Sequence, residues 1–200
     1  VSMKSPDASD RLFILKTISN PYYSEKWKND DIRDHVRQLI LDENPEVQQW
    51  AAYLAGRAKI SEASEELIAV LKNDRADTIS RREAAIALGR MDWKPARAPL
   101  FLVLKKEFAK NHRETELVPA TLYAFYSMKD SMAAPETIQM LKICLEQRDC
   151  SSQILQYAFF YLKSLKVKDA AALSFNYLDT PAITAEERCY ASDILRFTSS

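Results

Sequence analysis

Apolar residues recur at spacings of three and four along the whole chain, as in Leu67, Val70 and Leu71 or Leu100, Val103, Leu104 and Phe108. No stretch sustains an alternation of period two. Spacings of three and four bring apolar side chains onto one face of a helix, so the pattern predicts an all-α protein. Proline and capping chemistry set the boundaries. Asn44-Pro45-Glu46 reads as an N-cap followed by proline at the first helical position, Ser5-Pro6-Asp7 is similar, and Thr184 with Glu187 makes a capping box. Helices are expected over residues 6–18, 30–42, 45–57, 62–73, 78–90, 95–108, 114–128, 135–148, 151–165, 168–178 and 184–198. The interruption from Asn20 to Lys28 is aromatic rather than rich in glycine and serine, which predicts a packed loop instead of a flexible linker.

Self-similarity orders these helices. Ala51-Ala52-Tyr53-Leu54-Ala55-Gly56-Arg57-Ala58 aligns with Ala84-Ala85-Ile86-Ala87-Leu88-Gly89-Arg90-Met91 at an offset of 33 residues. The same slot returns at Thr121, Ala158 and Ala191, at further offsets of 37, 37 and 33, without the glycine. A short helix pair cannot bury its apolar face alone, so each pair leans on the next and a continuous core forms. Ala51, Ala55, Ala84 and Ala158 are expected at the close helix approaches, where larger side chains would overfill the core.

Ser80-Arg81-Arg82-Glu83-Ala84-Ala85-Ile86-Ala87-Leu88-Gly89, and Val47 to Gly56 with Gln48 in place of the arginine, resemble the HEAT-repeat family in its short, phycobilisome-lyase-like variety. The resemblance covers residues 44–111 and extends beyond them only in apolar spacing. It implies a right-handed α-solenoid of about five antiparallel helix pairs, at residues 30–58, 62–91, 95–128, 135–165 and 168–198, capped by helix 6–18 within a single domain spanning 1–200.

Candidate site residues follow from the repeat. Val47, Ser80, Leu117, Ile154 and Glu187 serve as position zero of the five second helices. Position six is then Tyr53, Ile86, Tyr123, Phe160 and Asp193, with Tyr126 at position nine, opposite the face that carries position zero. These side chains predict an apolar, aromatic stripe along a concave groove that takes a partner helix or peptide. Packing of the same rings against neighbouring units is an alternative of equal weight.

Net charge is zero, yet residues 75–113 hold 10 basic and 4 acidic side chains. Arg81, Arg82, Lys105 and Lys106 would anchor a basic patch that attracts an acidic partner or, as a minor alternative, nucleic acid; an ordinary solvated surface is the plainer reading. In the family resemblance Arg81 is structural, tying neighbouring units through Glu83 or Asp77.

Much chemistry is excluded. Two glycines cannot build a phosphate-cradling loop or a dinucleotide fingerprint. His35 and His112 belong to no metal-ligand spacing, so no metal and no cofactor is expected. The paired acids Asp30-Asp31, Glu65-Glu66 and Glu186-Glu187 suit first helical turns and not a general acid and base, and no catalytic residue emerges. Cys144, Cys150 and Cys189 are odd in number and lack a CxxC pair, which reads as a reducing, cytoplasmic setting with Cys150 a small packed residue. No segment has the length and apolarity of a membrane span.

The function these observations favour is a non-enzymatic scaffold or adaptor that binds another protein. The alternative is a HEAT-like enzyme or enzyme subunit, similar either to bilin lyases or to the DNA glycosylases of this fold, for which Trp50, Trp93 and Asp92 are a partial match.

Overall fold

Side-chain caps start the helices where the sequence places polar residues ahead of apolar periodicity. The computed structural model describes residues 2–110, 116–147, 150–179, 183–185 and 188–192. Asp7 caps α1 (Ala8–Ile18), Asn29 caps α2 (Asp30–Leu39) and Asn44 caps α3 (Pro45–Ala58), each by accepting a hydrogen bond from a first-turn N–H. The helix α4 (Ser64–Lys72) precedes α5 (Thr78–Arg90), whose N-cap Asp77 accepts from the N–H groups of Ile79 and Ser80. There follow α6 (Arg97–Lys110), α7 (Leu117–Met128), α8 (Ala134–Gln147), α9 (Ser152–Ser164, capped by Ser151) and α10 (Lys168–Leu178). No strand occurs among the described residues. Pro21–Lys28 forms a 3-10 segment with no buried residue, where the sequence predicts a packed loop; Trp27 anchors it by donating its indole N–H to the Ile18 carbonyl at 2.7 Å. The expected helix over 184–198 is described only in part, and His112, Arg113, Glu187, Asp193 and Phe197 lie outside the described residues.

The four second helices α3, α5, α7 and α9 end alike. Each is followed by a non-glycine residue in the left-handed region: Lys59 at φ 51°, Asp92 at 54°, Lys129 at 50° and Lys166 at 54°. The next residue donates its N–H back five positions, from Ile60 to Ala55, Trp93 to Leu88, Asp130 to Phe125 and Val167 to Leu162, at 2.9–3.2 Å. This is the six-to-one closure of a Schellman motif, which satisfies a terminal carbonyl and reverses the chain into the next pair. The repeat is therefore written in backbone geometry even where its glycine is lost.

The chain gathers into two compact units, Val1–Leu100 and Phe101–Ser200, where the sequence reading treats 1–200 as one domain. In the first unit α3 packs on α1, α2 and α5, and α4 packs on α5. Leu15, Val36, Ile40, Leu54, Leu67, Leu71 and Leu88 fill its interior. Ala51, Ala55 and Ala84 are fully buried, and a Cβ on Gly56 would lie 2.5 Å from the Ala87 Cα, so glycine is required where α3 meets α5. Successive first helices are tied by charge: Arg33 pairs with Glu62 at 2.6 Å and Arg37 with Glu66 at 2.7 Å. Hydrogen bonding to Glu66 raises the Arg37 pKa, and Glu62 is held below the usual carboxylate range by a backbone N–H first and by Arg33 second. Arg11 donates two 2.8 Å hydrogen bonds to Asp42, and this pairing raises its pKa.

In the second unit α9 packs on α7 and α8, and α10 packs on α8 and α9. Phe125, Phe159, Tyr161, Leu122, Leu141 and Ala158 form its core. The Tyr161 hydroxyl donates to the Asp130 carbonyl at 2.6 Å, and burial pushes its pKa above the ordinary phenol range. Cys144, at 4 % exposure on α8, is joined to Cys150 in a disulfide with the Cα atoms 5.3 Å apart. The expectation of unpaired thiols, with Cys150 as a packed residue, is corrected: Cys144 on α8 is bonded to Cys150, six residues on and beyond the end of that helix.

Candidate functional site

Two aromatic surfaces emerge, one on each unit. On the second unit the rings of α7 and α9 form a ladder. Tyr126 lies 6.5 Å from Tyr123, Tyr123 lies 6.0 Å from Tyr157, Tyr157 lies 6.5 Å from Phe160, and Phe160 lies 5.6 Å from Tyr190. Tyr126 is exposed and the other four are half-buried; Tyr123 and Tyr126 are tilted and the other three contacts are edge to face, while part of each ring remains open to solvent. The predicted Tyr123, Tyr126 and Phe160 thus come together. Tyr157 and Tyr190, which the prediction missed, sit at position three of their repeats. A residue at position three lies about 60° from one at position six on a helix, so a wider facing window would have found both.

On the first unit the same offset brings Trp50 beside Tyr53, with ring centroids 5.5 Å apart. Together with Gln49, Ile79, Arg82 and Glu83 they line a groove of about 220 Å³ between α3 and α5. Trp50, read from the sequence as an inward residue, is half-buried and forms part of this wall. Tyr53 also carries two guanidinium groups, with the Arg57 Cζ 5.9 Å and the Arg90 Cζ 5.5 Å from its ring centroid. Arg57 lies 5.5 Å from the Trp27 ring as well and donates a 2.8 Å hydrogen bond to the Tyr53 hydroxyl. Ile86, the remaining position-six residue, is half-buried and does not line the groove.

The predicted basic patch divides by environment. Arg81 is 4 % exposed and does not contribute to a surface. It donates to the Leu71 carbonyl at 3.1 Å and pairs with Asp74 at 3.2 Å, tying α5 to the C-terminal end of α4. Its role is structural, as the resemblance implies, but the tie lies within the pair 62–91 and not between neighbouring units, and the partner is Asp74 and not Glu83 or Asp77. Arg82 pairs with Glu83 at 3.0 Å. On the second unit Lys105 and Lys106 are exposed, with Lys105 3.8 Å from Glu136.

Among the described residues no group of three or more histidine, cysteine or acidic side chains is placed to hold a metal ion. No described helix is long and apolar enough to cross a membrane.

No protein-family model and no curated protein matches the chain. Among solved structures it is similar to the complex of CpcE and CpcF of phycocyanin lyase from Nostoc sp. PCC7120, with a TM-score of 0.69 and 21% identity, covering 84% of this chain. The match spans 65% of the length of that chain. At this identity the likeness is one of fold, and it places the all-α chain in the α-solenoid class with a helical-repeat neighbour. It also corrects the functional preference drawn from the sequence. The neighbour is a lyase complex, which runs against the non-enzymatic adaptor favoured from the sequence.

Proposed function

We propose that the chain is a HEAT-like, helical-repeat subunit of a bilin-lyase-like enzyme, which works with a second protein subunit and handles a linear tetrapyrrole. The fold shared with the phycocyanin lyase complex over 84% of this chain carries the reading. The two aromatic surfaces support it. A linear tetrapyrrole presents a flat conjugated face, and rings held edge to face with their sides partly exposed are suited to stack against it. The chain's task in this reading is to hold and orient pigment and protein partners, because proximity and alignment alone lower a reaction barrier substantially. The Tyr123–Tyr157–Phe160 ladder and the Trp50–Tyr53 wall are the surfaces assigned to these contacts. Lys105 and Lys106 are assigned to steering an acidic protein partner.

Titration of the purified chain with phycocyanobilin, followed by visible absorbance and co-migration in gel filtration, tests the proposal. The expected result is a saturable spectral change that is weakened in the Tyr123→Ala/Phe160→Ala variant while far-ultraviolet circular dichroism stays unchanged. A pigment spectrum indistinguishable from that in buffer would refute it.

A further inference from the structure

The cations around Tyr53 differ in how they are compensated. Lys16, over the Trp50 ring at 5.6 Å, pairs with Glu46 at 2.9 Å, and Arg82 in the groove pairs with Glu83. Arg57 and Arg90 make no ion pair with any carboxylate among the described residues. Both are half-buried, both lie within 6 Å of the centroid of the same phenol ring, and they occupy the same slot of consecutive repeats, 33 residues apart. A guanidinium held beside a ring presents its N–H groups in a planar fork, the geometry that grips a carboxylate with two hydrogen bonds. Two such groups flank Tyr53, one wall of the groove, and the groove's own carboxylate, Glu83, is already paired with Arg82.

We propose that Arg57 and Arg90 form a carboxylate clamp for a flat, conjugated acid whose ring system lies along Trp50, Tyr53 and Ile79. The groove, at about 220 Å³, is smaller than the roughly 300–1,000 Å³ typical of a site that encloses a whole small molecule. It therefore takes one portion of an elongated ligand and leaves the remainder outside. A linear tetrapyrrole with two propionate side chains has this chemistry, and to that extent the inference rests on the lyase-like reading. The clamp adds to that reading the atoms that orient the pigment: acid groups towards Arg57 and Arg90, ring edge towards Ile79.

The test compares biliverdin with its dimethyl ester, each titrated into the wild-type chain and the Arg57→Gln, Arg90→Gln and doubly substituted variants. Glutamine keeps a donor and much of the side-chain length while removing the charge, and helicity by circular dichroism checks the fold. The wild type is expected to bind the diacid at least about tenfold more tightly than the diester, because hydrogen bonds to a charged carboxylate are stronger than those to a neutral ester. Each single variant loses part of that preference, the double variant loses all of it, and diester binding stays constant throughout. Equal binding of diacid and diester by the wild type, or a diacid preference that survives in the double variant, overturns the clamp while leaving the lyase-like reading standing. Failure of the wild type to bind either pigment overturns both. Should the double variant lose helicity, Arg57→Lys decides: a fork-dependent clamp loses diacid preference with the charge retained, and an unchanged preference overturns it.

Discussion

Replacement of Gly56 by alanine probes the closest helix approach in the first unit. The added Cβ would stand 2.5 Å from the Ala87 Cα and 2.8 Å from its Cβ, against an ordinary contact of 3.4–4 Å. The shortfall is 3.4 − 2.5 = 0.9 Å, and its nearest element is backbone, so α3 and α5 must separate and no rotamer change relieves it. Overpacking of this kind costs about 1–3 kcal/mol. Alanine returns up to about 1 kcal/mol of helix propensity, and less near a helix end, so the net destabilisation is about 1–2 kcal/mol. For a chain of this size that lowers the melting temperature by about 2–8 °C. Urea denaturation monitored by tryptophan fluorescence measures it directly. Adding Ala87→Gly removes only the 2.8 Å contact and leaves the 2.5 Å one, so the double variant stays less stable than the wild type. A Gly56→Ala protein as stable as the wild type, or more so, refutes the reasoning, because propensity alone would then decide the outcome.

Three further outcomes follow from the geometry. Tyr161→Phe removes the 2.6 Å hydrogen bond to the Asp130 carbonyl and should cost about 1 kcal/mol in chemical denaturation at neutral pH. Because the folded pKa of Tyr161 is raised, its contribution is intact below about pH 10, where the unfolded tyrosine begins to ionise, and fades as pH rises further; the alkaline decline in stability should be shallower in Tyr161→Phe. Lys129→Gly and Lys166→Gly relieve left-handed backbone at φ 50° and 54°, and each should raise stability by about 0.5–1 kcal/mol in urea melts, whereas glycine in place of Lys142 within α8 should lower it. Cys144→Ser/Cys150→Ser should lose about 2 kcal/mol relative to the oxidised wild type, and reduction of the wild type should produce a similar loss.

The helices were legible because their caps and their apolar spacing agree. Asn44-Pro45 and Asp77 start α3 and α5 where the sequence predicts, and Ala51, Ala55, Ala84 and Ala158 are fully buried. The repeat was harder to follow in the second half because the helical slot of Gly56 and Gly89 carries Tyr126 and Lys163 there, while the left-handed ends at Lys59, Asp92, Lys129 and Lys166 have no glycine to mark them in either half. The aromatic site was legible in part. Position six found Tyr53, Tyr123 and Phe160, but a single-position window missed Trp50, Tyr157 and Tyr190, one helical step to the side. The basic patch misled because a charge count cannot separate a solvated cation from one, like Arg81, that ends up satisfying carbonyls at a neighbouring helix terminus. The disulfide was invisible to spacing rules since a separation of six residues matches no recurrent cysteine motif.

All three tryptophans, Trp27, Trp50 and Trp93, belong to the Val1–Leu100 unit, and the remaining unit has tyrosine and phenylalanine as its aromatic residues. Indole emission is thus an intrinsic optical label for one half of the molecule. Pigment quenching, thermal loosening or subunit assembly can be assigned to that half without attaching a dye.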